Sequence, residues 1–363
     1  MESKVNVGII GAGNISPAYI KGCRAFDILN LVGLADIDME KARKVAAEYS
    51  IDRVYTVEEM LADPNIQIVI NLTIPAVHAA VSLKIIEAGK HVYSEKPLAT
   101  TLEDGRAVIE AAQAKGVLVG CAPDTFLFGE HQTVRKLIDD DCIGVPVAAV
   151  GFMAGRGPES WHPNPDFFYA PGGGPMFDMG PYYVTCLVTL LGPAVRVSGA
   201  AKASFPQRIA KDGHTIPVNV PTHYSATIEF ASGAVATLIT SFDVWKHHLP
   251  MMEVYGSKGS IVVPDPNGYW KHVQLFVPGE HEWDEMEMTH STEWARGIGT
   301  ADMAYAITYG RPHRASGALA FHVLEIMDAV SKAYESGSYV TLTSTVERPA
   351  ALPVGLPERQ LDK

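Results

Sequence analysis

The sequence predicts an α/β fold in two parts: an N-terminal doubly wound parallel sheet, then a C-terminal α+β domain with a large, mostly antiparallel open sheet. Three observations predict it. Apolar runs alternate with helical stretches up to Cys121, a Gly11-x-Gly13 turn follows the first of those runs, and beyond Cys121 strand-like runs succeed one another across short turns. At 363 residues the chain exceeds one ordinary core. The expected division is 1–122, 123–345 and a Pro-rich tail over 346–363.

Residues 5–10 (VNVGII) are a short β-branched run of the buried parallel type, ending at Gly11-Ala12-Gly13. The helix that follows tolerates Pro17 in its first turn. A second strand, 31–35, runs into Asp36, and 39–49 has the Ala, Lys, Arg and Glu content of a helix. Thr56-Val57-Glu58-Glu59 reads as a capping box, and 66–72 (IQIVINL) as the next strand. A helix over 76–88 stops at Gly89. Strand 91–94, a helix capped at 100–103 and strand 117–121 complete the alternation.

After a helix over 129–139, strands are expected at 145–152, 194–200, 222–230, 235–242, 252–255, 259–263 and 273–276. Hairpins fall at 229–235 and 255–260. One apolar helix is expected over 177–191 despite Pro181, another over 317–336, and a strand at 339–342. Such an open sheet has a second face to cover, with Thr237, Ile239 and Ser241 on it, so the chain is expected to form a homodimer or homotetramer through this sheet. The tail from Arg348, with Pro349, Pro353 and Pro357, is too Pro-rich for helix or ladder and is expected to wrap the surface.

Composition narrows the partners. A net charge of -12 with no basic stripe excludes nucleic acid and anionic membrane surfaces. No run approaches the ~18 apolar residues of a membrane span, and the apolar run after Met1 meets Gly11 too soon for a signal peptide. Cys23, Cys121, Cys142 and Cys186 lack metal or redox spacing and read as free thiols of a cytoplasmic protein. His247, His248 and His313 have no ligand partner at suitable spacing, so no metal is expected.

Gly11-x-Gly13-x-x-Ser16, with a strand before it and a helix after, is a dinucleotide-binding fingerprint with a small Ser in its third position. Gly11, Gly13, Asn14 and Ile15 form the phosphate turn, where the backbone approaches closely and the helix dipole favours an anion. Asp36, at the end of the second strand, accepts the ribose hydroxyls of NAD. The 2′-phosphate of NADP would face a like charge there, with no Arg before Arg43, so NAD is preferred.

Further on, Thr73-Ile74-Pro75-Ala76-Val77-His78 is followed by Ala88-Gly89-Lys90-His91-Val92 and Glu95-Lys96-Pro97. With the glycine turn, these motifs make the chain resemble the glucose-fructose oxidoreductase / inositol dehydrogenase / MocA-like family, from Gly11 to about Arg348. The resemblance implies an NAD-linked oxidoreductase acting on a sugar, a sugar derivative or a cyclitol. It implies Lys96 as acid/base at the substrate hydroxyl, with Thr73, Pro75, His78, Glu95 and Lys96 at the cofactor. In the second domain a Gly172-Gly173-Gly174 run precedes Asp178 and Tyr182. Asp178 matches the family's Asp, whereas Tyr182 stands where most members carry His. Tyr, with a reference pKa of about 10, is a poorer base and a better donor. Asp178 is read as orienting Lys96 or the hydroxyl, with a helix cap as the alternative, and Tyr182 as a substrate contact; Tyr183 is read as core. Asp124, Arg156, Trp161 and His162 are further substrate candidates: Arg156 for an anionic substituent, Trp161 for stacking, His162 for a hydroxyl. A dihydrodiol-type dehydrogenase and a non-catalytic dinucleotide-binding sensor are the alternatives; intact Lys96 and Asp178 argue against the sensor.

Overall fold

The computed structural model describes residues 4–268, 272–293 and 296–363. Residues 1–3, where the signal-peptide reading begins, lie outside the described residues. The chain opens with β1 (Val5–Ile10), α1 (Ser16–Ala25), β2 (Leu29–Ala35), α2 (Met39–Glu48), β3 (Val54–Tyr55), α3 (Val57–Ala62) and β4 (Ile68–Asn71). It continues through α4 (His78–Glu87), β5 (His91–Ser94), α5 (Leu102–Lys115) and β6 (Val119–Cys121). Next come α6 (Gly129–Asp139), β7 (Pro146–Ala154), α7 (Gly174–Asp178), α8 (Gly180–Leu191), β8 (Ala194–Lys202), β9 (Gln207–Ile209) and β10 (Thr215–Pro217). The last elements are β11 (His223–Phe230), β12 (Val235–Ser241), β13 (Met252–Gly256), β14 (Ser260–Val263), β15 (Gln274–Phe276), β16 (Asp284–Glu285), α9 (Ile298–Tyr309), α10 (Gly317–Ser336) and β17 (Val340–Thr341).

The chain forms two compact units. One comprises Met1–Gly129, His290–Phe321 and Pro349–Lys363; the other comprises Glu130–Thr289 and His322–Arg348. This differs from a linear division at 122 and 345, for two reasons within the first unit. Helix α9 packs on α1 and β6. The tail is anchored there through buried Leu352 and Leu361 and through Arg359, which donates to the α1-end carbonyls of Arg24 and Ala25 at 3.0 Å. Helix α9 escaped the sequence reading because it is buried from Ile298 through Ala306 and so shows no apolar stripe.

The first unit carries a six-stranded sheet in the order β3-β2-β1-β4-β5-β6, parallel throughout. Four of the six residues in β1 are consecutive and buried, as a strand covered on both faces requires. The capping box at Thr56 forms as expected, its side chain accepting from Glu59 N while the Glu59 side chain accepts from Thr56 N. Because β1 lies between β2 and β4, the connections leave it in opposite directions and open a crevice at its carboxyl end.

The second unit carries a nine-stranded sheet ordered β16-β15-β14-β13-β7-β12-β11-β8-β17, in which only β7 and β12 pair in parallel. Strand β11 alternates strictly: Tyr224, Ala226, Ile228 and Phe230 are buried, while His223, Ser225, Thr227 and Glu229 stand on the other face. Helix α8 packs on β7 and β12, and Val330 of α10 lies against β8 at Gly199. Thr237, Ile239 and Ser241 share one face of β12 as expected; Ser241 is buried there, its hydroxyl shared by His223 and Asp243 N. The helix expected over 177–191 is two helices broken at Met179. Pro181 has no N–H to give the carbonyl of Phe177, so the ladder cannot run through.

Candidate active site

In the first unit the β1–α1 turn is built by its glycines. Gly11 has φ +111°, and a Cβ there would lie 2.6 Å from the Leu72 carbonyl oxygen, so no side chain fits. A Cβ on Gly13 would meet nothing within 4 Å. Gly13 instead lines a cavity of about 730 Å³ with Gly11, Asp36, Lys41, Thr73 and Val77, so a Cβ would protrude into that cavity. Buried Ser16 donates to Gly13 O at 2.8 Å, which ties the turn to α1. No side chain caps this helix at Ile15. Asp36 accepts from Ala12 N at 2.7 Å and Asp38 N at 2.9 Å, one bond to each oxygen. Each oxygen keeps a lone pair for a ribose hydroxyl. These residues fit an adenine dinucleotide.

Asn14 is exposed on the turn, Ile15 and Thr73 are half-buried, and Pro75 opens a short 3-10 turn. Thr73 Oγ1 donates to Asn71 Oδ1 at 2.6 Å. His78, expected at the cofactor, is 1% exposed, with Nδ1 2.8 Å from Pro97 O and Nε2 2.9 Å from Thr73 O. Its ring therefore clasps the β4 and β5 loops together instead of facing the cavity. Burial lowers its pKa.

The segment after β5 is fixed from beneath. Tyr19 of α1 donates to Glu95 Oε1 at 2.8 Å, and Lys96 N donates to Glu95 Oε2 at 3.0 Å. The Lys96–Pro97 bond is cis. Glu95 is buried and Lys96 half-buried, so the carboxylate is a brace inside the fold and the lysine follows it at the carboxyl end of the sheet. Tyr19 was missed in the sequence, although it lies three residues after Ser16 and so shares its sheetward face. Asp124, expected at the substrate, is fully buried and accepts from Gly297 N at 2.8 Å and Gly299 N at 3.0 Å. It caps α9, whose N-terminal amides draw the carboxylate inward, and burial raises its pKa.

In the second unit Asp178 ends α7 and Tyr182 lies in the first turn of α8, so the two belong to separate helices and not to the one expected over 177–191. Tyr182 is buried. Tyr183 is core, as read, and its hydroxyl also donates to Asp265 Oδ1 at 3.2 Å. The loop between β7 and α7 is pinned by buried Arg208, which bridges Glu159 and Asp243, and by Tyr169 donating to Glu159. On that loop Trp161 is 67% exposed. His162 Nδ1 accepts from Asn164 N at 3.1 Å, and its ring packs edge-on to Phe167 and Phe168, so it anchors the loop. Arg156 stacks on Trp245, a residue the sequence reading passed over. Its signal was a Trp three residues past the buried Phe242, in the segment that follows β12.

Among the described residues, no helix is long and apolar enough to cross a membrane. Two family profiles match in tandem: "Oxidoreductase family, NAD-binding Rossmann fold" over residues 5–122 and "GFO/IDH/MocA C-terminal domain" over 131–262. Among curated proteins, the chain is 30% identical over 262 residues to 1,5-anhydro-D-fructose reductase of Ensifer adhaerens, covering 70% of this chain and 74% of that one. It is 26% identical over 281 residues to trans-1,2-dihydrobenzene-1,2-diol dehydrogenase of Sus scrofa, covering 76% and 78%. Among solved structures, levoglucosan dehydrogenase in complex with NADH and L-sorbose superposes with a TM-score of 0.82 at 22% identity, covering 94% of this chain and 99% of that one.

Proposed function

Since this chain belongs to the GFO/IDH/MocA family of NAD-binding oxidoreductases, we propose that it is a dehydrogenase or reductase for a polyhydroxylated substrate: a sugar, a sugar derivative or a cyclitol. The observation that carries the reading is the brace under Lys96. Tyr19 and Glu95 hold the lysine's main chain at the carboxyl end of the sheet whose crevice fits the dinucleotide. Bound there, NAD supplies the hydride acceptor and NADH the donor. Lys96 takes the proton from the substrate hydroxyl during oxidation and returns it during reduction. Asp178 orients that exchange or the hydroxyl itself, and Tyr182 donates a hydrogen bond to the substrate. Gly11, Gly13, Asn14, Ile15, Asp36, Thr73, Pro75 and Glu95 build the cofactor site, with His78 behind them. The sugar-acting relative at 30% identity supports the substrate class, and the dihydrodiol dehydrogenase at 26% supports a cyclic diol as the second reading.

NAD is preferred to NADP because Asp36 lines the cavity, where its charge opposes a 2′-phosphate. Four free thiols, three of them buried, support a cytoplasmic setting. The uncovered sheet face, with Thr237 and Ile239, supports a homodimer or homotetramer. The test is a panel of sugars, cyclitols and trans-diols followed by nicotinamide absorbance. Turnover of a hit should fall by about a thousand-fold in Lys96→Met while NADH binding holds. Unchanged turnover would remove Lys96 from the chemistry.

A further inference from the structure

Arg156 and Trp245 leave the sheet side by side. They follow the ends of β7 and β12, the parallel pair, and a further bridge joins Arg156 to Asp243. The guanidinium carbon of Arg156 lies 4.3 Å from the Trp245 ring centroid and 5.7 Å from that of Phe205. His247 fastens the Trp245 segment in place, its Nε2 3.1 Å from Ala154 O. Nearby acidic groups are engaged elsewhere: Glu159 and Asp243 both pair with Arg208, which sits 5.1 Å from the same Phe205 ring. Among the described residues, no carboxylate and no hydrogen-bond acceptor engages the Arg156 side chain.

A half-buried guanidinium held flat against aromatic faces, with its donors not used by the protein, is prepared for a planar anion. Trp245 is 79% exposed, so with Arg156 against the ring much of its surface stays open. An open indole face packs on the C–H face of a pyranose ring. We propose that Arg156 and Trp245 form a binding site for a sugar acid, with the carboxylate taken at two points by the guanidinium and the ring stacked on the indole. A carboxylate suits this site better than a phosphate, because one planar fork satisfies its two oxygens and leaves no third anionic oxygen unmet. The proposal narrows the substrate class given above and rests on that reading for the chemistry, though not for the binding.

The probes are D-glucuronate and D-galacturonate against D-glucose and D-galactose, titrated calorimetrically into the full-length protein with and without NADH. The wild type should bind at least one uronate ten-fold or more tighter than its neutral counterpart. Arg156→Gln should abolish that preference while neutral-sugar affinity stays within two-fold; Arg156→Lys, which keeps the charge but loses the fork, should recover only part of it. Trp245→Ala should weaken acid and neutral sugars alike. Thermal melting and light scattering on each variant separate binding from folding and assembly. The proposal is overturned if neither uronate is preferred, or if Arg156→Gln weakens acid and neutral sugars equally. It is also overturned if glucose 6-phosphate outcompetes glucuronate through Arg156, or if Trp245→Ala only dissociates an oligomer. NADH binding and neutral-sugar turnover without uronate preference would leave the oxidoreductase reading standing. Uronate binding without NADH binding would remove that reading and keep this site.

Discussion

At the carboxyl ends of the parallel strands β1 and β2, the cavity is shaped by main-chain turns at Gly11 and Gly13 and by the carboxylate of Asp36, itself fixed by two main-chain amides. At the ends of β7 and β12, the groups on offer are side chains, Arg156 and Trp245, on segments held by other side chains: Arg208, Glu159, Asp243 and His247. A constant ligand can be met by backbone geometry, which tolerates few replacements. A variable one is met by side chains on loops, which can be exchanged without disturbing the sheet. The first arrangement should therefore fail through conformation and the second through the loss of individual contacts.

The largest effect should come from the glycine turn. Gly11→Ala places a Cβ 2.6 Å from the Leu72 carbonyl oxygen at φ +111°, so the unit should lose on the order of 3 kcal/mol or more. Gly13→Ala meets no protein atom within 4 Å, so it should melt like the wild type while binding NADH at least about ten-fold more weakly. Paired melting and NADH titration check both. Equal melting losses in the two variants would break the contrast drawn between a structural glycine and a ligand-facing one.

In the second unit, side-chain carboxylates should dominate the acid response. Burial would raise the pKa of Glu325, but hydrogen bonds donated by the amides and hydroxyls of Thr343 and Ser344 outweigh it and hold the group at about 2 instead of its ordinary 4.5. A carboxyl lowered by folding stabilises above its unfolded pKa. The stabilisation, on the order of 3 kcal/mol, should be lost as pH falls from about 4.5 to about 2. Glu325→Gln should be less stable at neutral pH and lack this acid limb in denaturant titrations across that range.

A smaller effect follows from Tyr19→Phe. It removes the buried donor to Glu95 Oε1 and keeps the bond from the Lys96 amide at Oε2. A hydrogen bond to a charged acceptor contributes about 2 kcal/mol, and a loss of that size should appear in thermal melting. Turnover should fall several-fold at unchanged NADH affinity, because the bond supports the Lys96 segment and not the cavity.

How much of this the sequence discloses follows the same divide. The parallel sheet, the glycine turn and Asp36 are local: a strand, two or three turn residues and the next strand's end specify them. Asp124 misled because a carboxylate after a sheet strand looks identical whether it meets a substrate or the amides of Gly297 and Gly299, 173 and 175 residues away. Tyr19 and His78 were hidden or misplaced for the same reason, since their partners are brought to them by sheet order. Asp178 and Tyr182 were spaced as one helix, and only the missing N–H of Pro181 divides them. In the second unit nearly every informative contact, Arg156 with Trp245 among them, is long-range.

Asp36 offers the finest test of the divide, because it belongs to both sides of it: a side chain that we propose reads the ribose, and a brace for the glycine turn. Its oxygens accept from Ala12 N and Asp38 N, and Asp38 in turn caps α2 by accepting from Glu40 N and Lys41 N at 3.1 Å. Asp36→Ala removes the acceptor for the ribose hydroxyls and the charge opposing a 2′-phosphate. Lys41 lines the same cavity and would then meet that phosphate without competition. Affinity for NAD should drop about ten-fold, equivalent to about 1.4 kcal/mol, while affinity for NADP holds or rises. A loss for both dinucleotides in equal proportion would mean that bracing the turn outweighs reading the ribose. Fluorescence titrations of NADH and NADPH on wild type and variant, compared as a ratio, separate the two, because a loosened turn weakens both ligands equally and cancels.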